Sequence, residues 1–193
     1  MFDIIGNIVI KVYYSDITNF EYDLTVVDSF PLLRRDYVNS ITDENRKRQS
    51  VFAWILLEYA LKNEKVWGNF SVDSKGRWRI IDSKIKFSIT HSGGIVAVAV
   101  TDSEYVGIDV EKCSDKVLKL KNKLGDYNTG NISSVEFLTR EWTKKESAYK
   151  AGKKCEFFSR KIFDKNGDEY FMTLCTKDKF EDFVYLDCKK LIN

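Results

Sequence analysis

Residues 105–112, YVGIDVEK, alternate like a β-strand but carry two acidic residues on one face. Valine and isoleucine alternate with Gly107, Asp109 and Glu111, so one face of the strand is apolar and the other is acidic. Asp and Glu are poor strand formers, and like charges on one face repel each other. An exposed edge strand with a solvated outer face would explain this pattern.

The rest of the chain has the composition of a globular protein. Of its 193 residues, 44% are hydrophobic and 14% are aromatic, which argues against disorder. No apolar run approaches the roughly 18–20 residues of a membrane span. The first residues, MFDIIGNIVIKVYY, have no basic leader or small-residue cleavage site, so they predict a strand rather than a signal peptide. We therefore expect a cytoplasmic protein with no membrane partner.

The cysteines give no metal-site pattern. They are widely scattered without a CxxC pair, and the chain has a single histidine. Such spacing does not predict a zinc site, and in a reducing compartment free thiols are expected. The four positions are Cys113, Cys155, Cys175 and Cys188.

Basic residues cluster although the net charge is only +2. The clusters lie at residues 34–35, 46–48 and 112–123. A solvated face would explain them, and so would a surface for phosphates or an acidic partner. A nucleic-acid-binding domain is normally more basic, and stacking aromatics are not evident among the clusters, so we expect no nucleic-acid partner.

The first half of the chain predicts one long helix followed by short strands. Residues 43–63 have apolar residues at helical spacing, with Asp43 as a possible N-cap. Strand-like runs follow in the order VWGNFSV, RWRII, KIKFSIT and GIVAVAV.

The second half repeats this order. A helix predicted near residues 135–152 is followed by EFFSRKIF, EYFMTLC and DFVYLDC. Both halves have a D-x-x-G hairpin signal, at 73–76 and 164–167, a spacing of 91 residues. We predict an α+β fold, a pseudo-dimer of similar halves (1–103 and 104–193), each a helix packed on a small antiparallel sheet. The active site would lie between the halves, and a monomer would suffice.

The predicted second helix contains EWTKKESAYK, residues 141–150. One helical face carries charged and aromatic residues together: Trp142, Lys145, Glu146, Tyr149 and Lys150. Lysines snorkelling at the rim, with an ordinary i,i+4 ion pair, would explain this stripe. A functional face directed into a cleft would also explain it.

The single histidine lies in FSITHSGG, residues 87–94. Lone histidines are more often structural. Here Thr90, His91 and Ser92 end a strand before two glycines, so hydroxyls, an imidazole and backbone amides could together contact a phosphate.

Together these stretches resemble the 4'-phosphopantetheinyl transferases of the surfactin-synthetase-activating type. That family has [VI]-G-[VI]-D-x-E followed by [FW]-[SCT]-x-K-E-[SA]-x-x-K, which residues 106–111 and 142–150 match. Its upstream S-H-S-G motif resembles residues 90–93, and an earlier G-[KR] resembles Gly76 and Arg77.

The resemblance implies that coenzyme A (CoA) donates its phosphopantetheine arm to a serine of an apo acyl or peptidyl carrier protein. Such carriers belong to fatty-acid, polyketide and nonribosomal-peptide biosynthesis. It also implies Mg²⁺ as the cofactor, held by Asp109, Glu111 and Glu146. Carboxylates two apart on one strand face are about 7 Å apart, and Mg²⁺ prefers oxygen ligands.

The remaining roles follow from the same resemblance. Glu146 is expected to accept the serine proton, and Lys150 to neutralise or protonate the departing phosphate. His91 and Thr90 are expected to contact the CoA phosphates. Arg77, with Arg48 or Arg46 as alternatives, is expected to bind the 3'-phosphate.

A non-catalytic, Mg²⁺-dependent nucleotide-binding module is the alternative. It could use the same carboxylates, but it would not need Lys150.

Overall fold

The computed structural model describes residues 10–21, 23–74, 76–124 and 134–192. The strands are β1 (Ile10–Asp16), β2 (Phe70–Val72), β3 (Trp78–Ile80), β4 (Lys86–Ser92), β5 (Ile95–Thr101), β6 (Val106–Lys112), β7 (Glu156–Phe163), β8 (Glu169–Thr176) and β9 (Phe180–Tyr185). The helices are α1 (Leu32–Asn39), α2 (Glu44–Asn63), α3 (Val135–Ala151) and α4 (Lys189–Ile192), with 3₁₀ segments at Leu24–Ser29 and Asp115–Leu124. The prediction of an α+β protein is confirmed. The first nine residues of the predicted N-terminal strand lie outside the described residues, and β1 begins at Ile10.

Helix α2 forms where its pattern predicted it. The Asp43 side chain caps the helix by accepting a hydrogen bond from the Arg46 backbone N–H at 2.7 Å. Trp54 and its apolar neighbours are buried against β4 and β5. Burial of this face supplies most of the stabilisation, since isolated helices are marginal in water.

The first sheet has the strand order β4-β5-β1-β9. Three of its strands run antiparallel, but β9 pairs with β1 in parallel. The expectation of a purely antiparallel sheet is therefore wrong for this half. The end of the chain also returns to the first half, because β9 completes this sheet and Cys188 joins its core.

The second sheet has the order β6-β8-β7 and is entirely antiparallel. Helix α3 packs on β6 and β8. It begins after Ser134, whose side chain accepts from the Phe137 N–H, and ends at Gly152 in the left-handed conformation. Apolar side chains of β6 and β8 share a core with those of β1 and β5, so the two sheets are packed together.

The two D-x-x-G signals make turns of the same geometry. In each, the glycine N–H donates to the Asp backbone carbonyl, at 2.9 Å for Gly76 and 3.0 Å for Gly167. Both glycines have positive φ, 76° and 81°, which favours glycine there. The first turn joins β2 to β3, a separate two-stranded sheet, and the second joins β7 to β8.

Of the helices in the described ranges, none has the length and apolar character needed to cross a membrane. The four cysteines are free thiols, as the sequence predicted.

Gly107 lets α3 lie directly against β6. A Cβ at this position would stand 1.9 Å from the Ser147 carbonyl oxygen and 2.6 Å from the Ala151 nitrogen, both atoms of the helix backbone. A glycine in this strand is therefore required by packing, and its absence of a side chain sets the distance between α3 and the carboxylates of β6.

We expect Gly107→Ala to lower the free energy of unfolding by about 3 kcal/mol, because a helix backbone cannot rotate away from the added methyl. Gly167→Ala is the control: its Cβ meets nothing within 4 Å, so only the left-handed backbone is strained, at about 1–2 kcal/mol. Urea denaturation of both variants measures the difference. A smaller loss for Gly107→Ala than for Gly167→Ala would contradict this packing account.

Candidate functional site

Three hydroxyls of β4 bind the backbone of β6 where the two sheets meet. They accept hydrogen bonds from alternate N–H groups: Ser88 from Ile108 at 3.1 Å, Thr90 from Val110 at 3.2 Å and Ser92 from Lys112 at 3.1 Å. We call Ser88, Thr90 and Ser92 the hydroxyl ladder. Side chains thus satisfy the β6 N–H groups on the edge that faces β4, a task that a neighbouring strand's backbone would otherwise perform.

Two hydroxyls of the ladder also bind carboxylates. Thr90 Oγ1 donates to Asp109 Oδ1 at 3.2 Å, and Ser92 Oγ donates to Glu111 Oε2 at 2.9 Å. Ser88 precedes them on the same face but makes no such contact, because the matching position of β6 is Gly107. The sequence pattern on β6 and the ladder on β4 therefore meet in register.

Asp109 is a buried carboxylate that is only partly neutralised. Its exposed fraction is 4%, and its Oδ1 accepts a hydrogen bond from the Lys150 ammonium at 2.6 Å. Its Oδ2 is buried without a hydrogen-bond partner among the described residues. Burial raises the pKa of this carboxyl, against the opposing effect of Lys150. A buried anionic oxygen without a partner is costly, so this atom is available to a hydrogen-bond donor or a cation.

Glu111 and Glu146 lie in the same electrostatic environment. Burial and the nearby Asp109 charge raise the pKa of Glu111 to about 7. Burial, and then Asp109, also raise the pKa of Glu146 on α3. The three predicted metal ligands are therefore close enough to repel one another, and a cation would relieve that repulsion.

The donor set fits Mg²⁺ chemically, but it is not arranged as a metal shell. Within the described parts of the chain, no group of three or more His, Cys, Asp or Glu side chains is disposed to hold a metal ion. One oxygen of Asp109 is taken by Lys150 and one of Glu111 by Ser92. The remaining oxygens are hard ligands of the kind Mg²⁺ prefers, so the magnesium site stays a prediction.

Lys150 reaches β6 from the end of α3. Its ammonium bonds both Asp109 and the Ile108 carbonyl oxygen, the latter at 3.0 Å. Of the predicted stripe on α3, Glu146 and Lys150 face the carboxylates, whereas Tyr149 is 64% exposed and points away. Lys145 donates to the Lys123 carbonyl oxygen.

Of the three carboxylates and Lys150, only Glu111 lines a cavity of about 650 Å³. Arg48, Ser92, Glu111 and Trp142 line it, together with the turn at Gly93 and Gly94. Helix α2 and β4 contribute one wall, and β6 and α3 contribute the other. Two guanidinium nitrogens of Arg48, Nε and Nη2, are buried and have no hydrogen-bond partner in the described ranges.

The three candidate arginines differ in their ion pairs and in the cavities that they line. Arg77 is already paired, since its Nε bonds Asp73 at 2.8 Å. It lines a separate cavity of about 210 Å³ that also contains Lys150. Arg46 is exposed in the first turn of α2. Of the three, Arg48 alone lines the larger cavity, so it is the candidate arginine that an anion bound there could contact.

His91 and Thr90 do not line the larger cavity. Thr90 is buried, and its hydroxyl proton is bound to Asp109. His91 lies on the other face of β4, where burial and the charges of Lys150, Arg46 and Arg34 lower its pKa to about 4. His91 is therefore a neutral imidazole at neutral pH.

Tyr170 and Asp164 fix the glycine turn at the cavity wall. The Tyr170 hydroxyl accepts from the Gly94 N–H at 3.0 Å and donates to Asp164 Oδ2 at 2.9 Å. Thr18 from the first half also donates to Asp164. Sequence reasoning missed these residues. The D-x-x-G motif that contains Asp164 is the available signal, but by itself it predicts only a turn.

No known protein-family model matches the chain, and no curated protein matches it significantly.

The low pKa of His91 predicts a dependence of stability on pH. Between pH 6.5 and about 4 the unfolded chain binds a proton that folded His91 does not, so stability falls as pH falls through this window. The total loss is roughly 3 kcal/mol. We expect His91→Asn to lose less stability than the wild type between pH 7 and 4.5 in urea denaturation. Because the carboxylates titrate in both proteins, parallel losses would contradict the assignment.

Proposed function

We propose that the protein is a 4'-phosphopantetheinyl transferase. It would transfer the phosphopantetheine arm of CoA to a serine of an apo acyl or peptidyl carrier protein and release adenosine 3',5'-bisphosphate. The observation that carries the proposal is the convergence of Asp109, Glu111, Glu146 and Lys150, of which Glu111 lines the larger cavity. These are the residues of the two motifs that resemble the family. One oxygen of Asp109 is buried and has no hydrogen-bond partner among the described residues.

The three carboxylates would hold Mg²⁺ against the CoA pyrophosphate. Asp109 would use its free Oδ2, with Glu111 and Glu146 completing the protein ligands. When bound, the metal neutralises charge on the phosphates and orients them. A site of this kind keeps open positions for substrate oxygens and water.

The protein's own groups would then handle the proton and the leaving group. Glu146 is partly exposed, so its carboxylate can accept the proton of an entering carrier serine. Lys150 is held beside Asp109 and can neutralise the departing phosphate. A passive nucleotide-binding module could use Glu146 as a metal ligand but would not need Lys150. Positioning and charge neutralisation do most of the catalysis in phosphoryl transfer.

Arg48 is the best candidate for the phosphate end of CoA. Its Nε and Nη2, which have no partner among the described residues, can form a bidentate contact with a phosphate, a geometry that suits arginine. His91 could add a neutral N–H donor if CoA reaches its face of β4. Arg77 would have to leave Asp73 first.

The site would lie between two halves of a pseudo-dimer. In support, α2 packs on β4 and β5, α3 packs on β6 and β8, and both halves have D-x-x-G turns of one geometry. The cavity is lined from both halves of a single chain, so a monomer would contain the whole site.

Mass spectrometry of an apo carrier protein incubated with CoA and Mg²⁺ tests the proposal. We expect the carrier to gain one phosphopantetheine arm with the wild type. Glu146→Gln should slow transfer by roughly 100-fold or more, since several kcal/mol of metal and base stabilisation are lost. The control is Glu141→Gln: Glu141 is a buried carboxylate of α3 paired with Lys144 at 2.8 Å, and it should be dispensable for transfer. CoA binding without transfer would favour the nucleotide-binding module.

Arg48 and Arg77 can be distinguished with CoA and dephospho-CoA. A charge-assisted contact to a phosphate contributes about 1.5–3 kcal/mol, so Arg48→Ala should lower kcat/KM for CoA by roughly 10–150-fold. The loss should be much smaller with dephospho-CoA, which lacks the 3'-phosphate. Arg77→Ala should affect both donors little, because Asp73 already holds its guanidinium. If Arg77→Ala is the variant that discriminates between the donors, the 3'-phosphate site must be moved to Arg77.

A further inference from the structure

The hydroxyl ladder performs two tasks, and only two of its three members perform both. Ser88, Thr90 and Ser92 each accept a backbone N–H of β6. Thr90 and Ser92 additionally donate to Asp109 and Glu111. Ser88 only joins the two strands, whereas Thr90 and Ser92 also bind carboxylates, so Ser88 can serve as a control for the other two.

The register of the two strands explains this division. Each hydroxyl accepts the N–H of one β6 residue, and the side chain next to that N–H belongs to the preceding residue. For Thr90 and Ser92 the preceding residues are Asp109 and Glu111. For Ser88 the preceding residue is Gly107, which has no side chain to bind.

The same register fixes the hydroxyl protons. A hydroxyl has a single proton, and the β6 N–H occupies an acceptor site on its oxygen. The proton is therefore free to point at the carboxylate, and in both cases it does. One oxygen of each carboxylate is thereby held by β4, and for Asp109 the Lys150 ammonium binds the same oxygen at 2.6 Å. These contacts constrain the direction of the other oxygen.

We propose that Thr90 and Ser92 are positioning residues, which orient Asp109 and Glu111 so that their second oxygens are presented to a divalent cation. This inference rests on the proposed function. It gives Thr90 a different task from the phosphate contact expected from the sequence, and it adds Ser92. It also means that the first half of the chain orients ligands that the second half supplies.

The effect should be seen in metal affinity. Hydrogen-bond partners that orient metal ligands typically account for 10–100-fold in affinity. Thr90→Val and Ser92→Ala should each weaken binding of Mn²⁺, used alone as the probe, by roughly 10-fold or more. Thr90→Ser keeps the hydroxyl and should bind like the wild type.

Ser88→Ala is the matched control, because it removes the same kind of N–H acceptor without touching a carboxylate. It should change Mn²⁺ affinity little, while thermal unfolding should respond similarly in Ser88→Ala and Ser92→Ala. Titration calorimetry, or the electron paramagnetic resonance of free Mn²⁺, gives the affinity without any turnover.

Wild-type affinity in Ser92→Ala and Thr90→Val overturns the inference. Equal losses in all three variants, Ser88→Ala included, also overturn it, since they would show only general damage where the sheets meet. Mn²⁺ binding that depends on Thr90 and Ser92, in a protein that transfers no phosphopantetheine, would support the positioning role and reject the proposed function alone. If the wild type transfers the arm but binds no Mn²⁺, the positioning role fails and the transfer activity stands.

Discussion

The meeting of β4 with β6 through the hydroxyl ladder is the constraint on which the site depends. Three side chains, Ser88, Thr90 and Ser92, satisfy backbone N–H groups on the edge of β6 that faces away from β8. The same contacts hold two largely buried carboxylates, and one Asp109 oxygen has no hydrogen-bond partner in the part of the chain that the structure describes. Gly107 then allows α3 to bring Glu146 and Lys150 to that place. Each of these features is unfavourable alone, because it buries charge or removes a side chain, and a bound cation, as proposed, would offset that cost.

Most elements of the fold followed from local patterns. Helices α2 and α3 were predicted to within a residue at each described end, because caps and apolar spacing are local signals. Both D-x-x-G turns were also predicted. The parallel pairing of β9 with β1 was not, since it joins the two ends of the chain and leaves no local signature. Through this pairing, the last strand of the second half, 104–193, belongs to the first sheet.

The charged residues of the candidate site could be predicted from the sequence, but the residues that contact them could not. Two carboxylates on one strand face and a charged stripe on a helix were visible in the sequence. The ladder was not recognised, because serine and threonine alternate in many strands and their partner strand is set by the tertiary fold. The sequence does not show which arginine is available to a phosphate. Charge clusters do not reveal that Arg77 is paired with Asp73 while Arg48 lines the cavity.

A crystal structure with CoA and Mn²⁺, with the metal located by its anomalous signal, tests the central claim most directly. The account predicts one Mn²⁺ at about 2.0–2.3 Å from Asp109 Oδ2 and bonded to Glu111, bridging the CoA pyrophosphate in the cavity of about 650 Å³. CoA bound elsewhere would contradict it, for example in the apolar cavity beside Trp67 and Tyr59. A metal that leaves Asp109 Oδ2 without a ligand would contradict it equally.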